Sequence, residues 1–133
     1  MLMFAQDPET AALLREATQW SDAKAWDRAI ACLRQANARM KVSPVSYSVQ
    51  AWLRLPLYLQ KAGRFDEAMI EFTRLADETE GRIARAFPHQ SKAKQKVIAK
   101  RELTVIQDKI RLAKEREAKL QAKNKKPALS KPD

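Results

Sequence analysis

Glycine, cysteine and histidine are nearly missing from this chain, which holds two Gly, one Cys and one His. With abundant Ala, Leu, Arg, Lys, Glu and Gln, the composition favours helix over sheet. The single Cys32 rules out an internal disulfide and any paired-cysteine motif. It falls inside an apolar helical pattern, and only one His exists to activate it, so a small buried core residue is expected. His89 follows Pro88 and is expected to be a solvated turn residue. There is no P-loop pattern, no HExxH and no GxSxG. The acid pairs Asp66-Glu67 and Asp77-Glu78 fit helix starts and solvated faces better than acid–base work. No catalysis, metal or other cofactor is expected. No run approaches the roughly 20 apolar residues that cross a bilayer. MLMFAQDPET lacks the basic segment and long apolar run of a signal peptide. A soluble cytoplasmic chain without a membrane partner is the expectation.

What is present is helical periodicity. At 133 residues the chain has the size of one domain with a modest helical core. An all-α fold of about five helices is expected, the last long and basic. Asp7-Pro8 opens the first with a cap and a proline at the first helical position, and it runs to about residue 21. The second spans about 26–40, with Ala29, Ile30, Leu33 and Ala36 at helical spacing. Ser43-Pro44 repeats the cap-then-proline opening for a third, about 45–61, which Gly63 ends. The fourth starts near Asp66 and keeps a 3–4 spacing through Gly81 as far as Ala86, before the stop at Pro88. The fifth covers about 91–123, with Ile98, Ala99, Leu103, Val105, Ile106, Ile110, Leu112 and Ala113 on one half-circle. Its apolar stripe thins beyond Ala113, so those turns are expected to project into solvent. Residues 124–133 are expected to be a disordered tail. The domain plan is thus two helix pairs over 1–90, a capping or protruding helix over 91–123, and the tail.

Two segments repeat at an offset of 39 residues. Ala29 and Ala68 are equivalent, as are Ile30 and Met69, Leu33 and Phe72, and Ala36 and Leu75. Trp26 and Phe65 precede them as the aromatic that plugs the turn. Gly63 is the turn glycine of the second unit, and Lys24 stands at that place in the first. The stretch WLRLPLYLQKAGRFDEAMIEFTRL, residues 52–75, resembles one tetratricopeptide (TPR) unit, with Trp52, Leu55 and Gly63 matching. The usual TPR period is about 34, so the connection around 41–46 carries an insertion of about five residues. Pro56 replaces the small residue of the pattern and is expected to kink or widen its helix. The pair of units followed by DKIRLAKERE is similar to small bacterial TPR proteins. The resemblance implies an antiparallel helix-pair solenoid that binds a peptide or helix of another protein in a groove lined by the first helix of each pair.

Transferred by that alignment, the groove consists of Leu14, Arg15, Thr18 and Ser21 in unit one, and Gln50, Leu53, Arg54, Leu57 and Lys61 in unit two. Family members that grip a C-terminal carboxylate use Lys and Asn at defined places. Leu14 and Thr18 occupy the first two of those, which disfavours that ligand. Arg15, Arg54 and Lys61 suit an acidic peptide, with Leu53 and Leu57 as apolar anchors. The last helix points elsewhere. Residues 1–41 carry six Lys/Arg against five Asp/Glu and 42–80 four against six, whereas 81–133 carry sixteen against five. Lys96, Lys100, Arg101, Lys109, Arg111, Lys114 and Arg116 are candidate contacts to nucleic acid or another polyanion. The block has no aromatic side chains to stack on bases, and its interleaved Glu102, Asp108, Glu115 and Glu117 are what a solvated helix carries. Leu103, Ile106 and Ile110 keep heptad spacing and form a candidate homodimer seam.

Overall fold

The computed structural model describes residues 7–129, with side chains to Asn124. Among these residues there are six helices and no strand. They are α1 (Pro8–Asp22), α2 (Trp26–Lys41), α3 (Val49–Lys61), α4 (Phe65–Asp77), α5 (Thr79–Ala86) and α6 (Lys92–Leu129).

The turns that close α1–α2 and α3–α4 are copies of each other. After α1, Ala23, Lys24 and Ala25 N–H donate to the carbonyls of Gln19, Ser21 and Trp20. After α3, Ala62, Gly63 and Arg64 N–H donate to Tyr58, Gln60 and Leu59, each partner displaced by 39 residues. Both turns place their middle residue at positive φ, Gly63 at 81° and Lys24 at 58°. The left-handed residue satisfies the last carbonyls of each helix and reverses the chain. Equivalent positions are also buried alike: Ala29 and Ala68, and Leu33 and Phe72, have no exposed surface.

Three expectations about helix ends are corrected. The fourth helix divides in two at Glu78, which gives six helices rather than five. The Thr79 hydroxyl donates to the Leu75 carbonyl at 2.9 Å, and such back-bonding bends helices. The third helix begins at Val49, not Val45. Ser43 is spent on a local turn, accepting from Val45 N–H at 3.0 Å, and Ser48 is the cap, accepting from Ala51 N–H. The last helix continues to Leu129 rather than ending near Lys123; residues 130–133 of the expected tail lie outside the described residues. α3 itself runs as one α-helix through the buried Pro56.

The core lies between the two hairpins and α6. Leu33, Leu53, Leu59, Phe72 and Ile106 are its large members, each at most 1% exposed. Cys32 sits in it, and burial, aided by the Glu16 charge, pushes its thiol up from the ordinary value. On the outer side, Arg34 reaches Glu71 at 3.2 Å and Arg64 joins Asp27 at 3.1 Å to Glu67 at 2.8 Å, tying α2 to α4. α6 follows α3 in the same direction. Glu102 meets α3 through Arg82, which lies over the Trp52 ring, and further on Gln60 Nε2 donates to the Ala113 carbonyl. Ala99, Ile106 and Ala113 of α6 are buried, and from Lys114 to Asn124 the helix is exposed except at Glu117.

Candidate functional site

The face shared by α1 and α3 holds most of the groove residues read from the sequence. Arg54 is its centre. Its Nη1 donates to the Leu14 carbonyl at 3.2 Å, and its Nη2 to the Thr18 hydroxyl at 2.7 Å and the Tyr58 hydroxyl at 2.9 Å. A short side chain could not span these helices, but the guanidinium fork reaches both. Burial raises the Tyr58 pKa, but bonding to Arg54 and the Ser21 and Thr18 hydroxyls outweighs it, so the phenol sits below the ordinary tyrosine value. Lys61 Nζ lies 5.9 Å from the Tyr58 ring, and Trp26 meets the same ring edge-on at 5.7 Å. The result is a rigid aromatic–cation cluster at one end of the face.

Two residues have other employment than the sequence assigns. Leu53 is 1% exposed and belongs to the core, so it presents nothing to a ligand. Arg54 is a brace between helices, with both of its terminal nitrogens bonded to protein oxygens. Arg15, Thr18, Gln50 and Lys61 are exposed and Leu57 is half-buried. Tyr58 and Trp26, which complete the cluster, were not in the transferred set. Their signal was available: Tyr58 lies one turn beyond Arg54.

On α6, Lys96, Lys100, Arg101, Lys114 and Arg116 are exposed, and Lys109 is half-buried. Arg111 is already engaged, with Asp108 at 2.6 Å and Glu115 at 2.8 Å, and these partners raise its pKa. Of the dimer seam, Ile106 is wholly inside the chain's own core, and Leu103 and Ile110 are half-buried. A dimer using all three would have to unpack Ile106. Among the described residues no cluster of His, Cys, Asp and Glu is placed to hold a metal, and no helix is long and apolar enough to cross a membrane. No model of a known protein family, no curated protein and no solved structure matches the chain.

Proposed function

We propose that this chain is a TPR-like interaction module, an antiparallel helix-pair solenoid whose α1–α3 face binds a peptide or helix of another protein. One observation carries the reading: the two hairpin turns are the same hydrogen-bonded unit displaced by 39 residues, one around Lys24 and the other around Gly63. Arg54 bridges α1 and α3, and the proposed binding groups are the exposed Arg15, Gln50 and Lys61 and the half-buried Leu57 and Tyr58 of these two helices. An acidic ligand segment with an apolar anchor suits these groups. Affinity capture from the native host at moderate salt, with and without nuclease, tests it. A partner resistant to nuclease should be retained, and should be lost with Arg15→Glu/Lys61→Glu at unchanged helicity. Retention by the double variant would refute the groove. Arg54 is unsuitable for this test because charge reversal there removes the brace between α1 and α3.

A second reading has its own observation. Lys96, Lys100, Arg101, Lys114 and Arg116 are exposed and have no ion-pair partner among the described residues, unlike Arg111. These five would contact a polyanion such as nucleic acid. Affinity should then fall steeply with salt and weaken on truncation after Ala113, which removes Lys114 and Arg116 but leaves the other three; salt-insensitive binding excludes it.

A further inference from the structure

The extra residues between α2 and α3 wall a cleft that the repeat alone would not make. Residues 43–47 of the connection face α5, with Trp52 and Glu102 at the sides, around a volume of about 90 Å³. That is several times the space one water requires. Arg82 forms its inner wall and is 8% exposed. The guanidinium is held on three sides: Nη1 donates to Glu102 at 2.7 Å, Nη2 to the Thr79 hydroxyl at 3.2 Å, and the Trp52 ring lies 5.6 Å beneath. Its Nε–H is buried and has no partner among the described residues, and the same is true of the Tyr47 hydroxyl in the same cleft.

Two buried groups that can donate, one of them on a cation held by Glu102 and Thr79, call for an acceptor. The charge around them calls for an anion. Lys41, Arg82 and Arg85 line the cleft against Glu102 alone, although Lys41 also lies 4.0 Å from the exposed Glu78. Ser43 accepts from Val45 N–H, which leaves its own O–H free to donate. We infer that the cleft binds a phosphate group, with Arg82 Nε–H and Tyr47 O–H as inner donors and Lys41 and Arg85 supplying charge at the mouth. A dianion with several acceptor oxygens matches this set better than a carboxylate, which brings one charge. No residue of the α1–α3 face lines the cleft, so the site stands whether or not that face binds a peptide.

Titration of the full chain followed by ¹⁵N-resolved NMR, including the arginine Nε–H signals, tests it. Inorganic phosphate should produce saturable shifts at Arg82 Nε–H and at the amides of residues 45–47. Sodium chloride at matched ionic strength should not. Tyr47→Phe should weaken phosphate binding about tenfold, the loss of one charge-assisted hydrogen bond, with the rest of the spectrum unchanged. Arg85→Gln, on the exposed rim, provides a second variant that does not touch the core and should also weaken binding. Glycerol 3-phosphate distinguishes a phosphate ester from the free ion, and saturation by either supports the site. Shifts that do not saturate, equal shifts with acetate, or unchanged affinity in Tyr47→Phe would overturn it.

Discussion

Lys24 and Gly63 perform one backbone task with different residues, and the contrast is measurable. Left-handed φ costs an L-residue about 1–2 kcal/mol, while glycine's extra freedom in the unfolded chain offsets about half of that. Lys24→Gly should therefore stabilise the protein by about 0.5 kcal/mol. A Cβ on Gly63 would meet nothing within 4 Å, so Gly63→Ala should cost about 1 kcal/mol from the backbone alone. Urea denaturation of both variants checks the pair; equal signs would show that the turns are not equivalent. Asp7 offers a titratable counterpart. One of its carboxylate oxygens accepts from the Thr10 hydroxyl at 2.8 Å and from Arg39 Nε at 2.7 Å and Nη2 at 2.6 Å. The Thr10 bond and then Arg39 hold its pKa below the ordinary carboxylate value. The tie between α1 and α2 is thus fully present above the unfolded-state pKa and fades as pH falls through the lower folded one. Amide protection factors at Ala11 to Leu14, taken against the intrinsic exchange rate at each pH, should fall below about pH 4, and Asp7→Asn should abolish that dependence. Spacing encodes geometry at this scale, and the Lys24–Gly63 equivalence is legible from it. Spacing fails where one residue type serves two roles. Ser43 and Ser48 are both followed by helix-compatible residues, and only the folded loop decides which hydroxyl caps. Nothing local to Arg82 announces Trp52 beneath it or Glu102 twenty residues away.

At the scale of elements, the division of α4 from α5 depends on Thr79. The apolar stripe Leu75, Thr79, Ile83 continues across the break, which is why periodicity alone reads a single helix. The side chain is 1% exposed, donating to the Leu75 carbonyl and accepting from Arg82 Nη2. Thr79→Val keeps the shape and removes both bonds, leaving an arginine N–H unpaired. A loss of about 1–3 kcal/mol is expected by thermal or urea unfolding, and a change below about 0.5 kcal/mol would mean that water replaces the hydroxyl at no cost. The attachment of α6 is apolar by contrast. Ile106 has no exposed surface, so Ile106→Ala should cost about 2–5 kcal/mol. The same substitution separates the two uses of this residue: a core role lowers stability at any protein concentration, whereas a dimer seam would make the loss depend on concentration. The half-circle of apolar residues on α6 was legible in the sequence. Which of them would be fully buried was not, since that depends on how α3, α4 and α5 present their own surfaces.

For the whole molecule, charge and stability are carried by different parts. The core ends at Ala113 on α6, yet basic residues continue well beyond it. Truncation after Glu117 removes five Lys and one Asp and lowers the net charge from +10 to +6. Because Ala118 to Asn124 are exposed, the unfolding free energy should change by less than about 0.5 kcal/mol. Retention on a heparin column should fall markedly in the same variant. A large loss of stability would place the end of α6 against the body. The 38 residues of α6 extend for about 57 Å at 1.5 Å per residue, whereas a compact domain of this length has a radius of gyration of about 14 Å. The molecule therefore carries a rod longer than its body is wide, and its friction in water exceeds that of a sphere of equal mass. A single chain of 15.2 kDa will elute early from a gel-filtration column calibrated with globular standards and will pass for a dimer. Light scattering, which weighs the particle without assuming its shape, separates elongation from association.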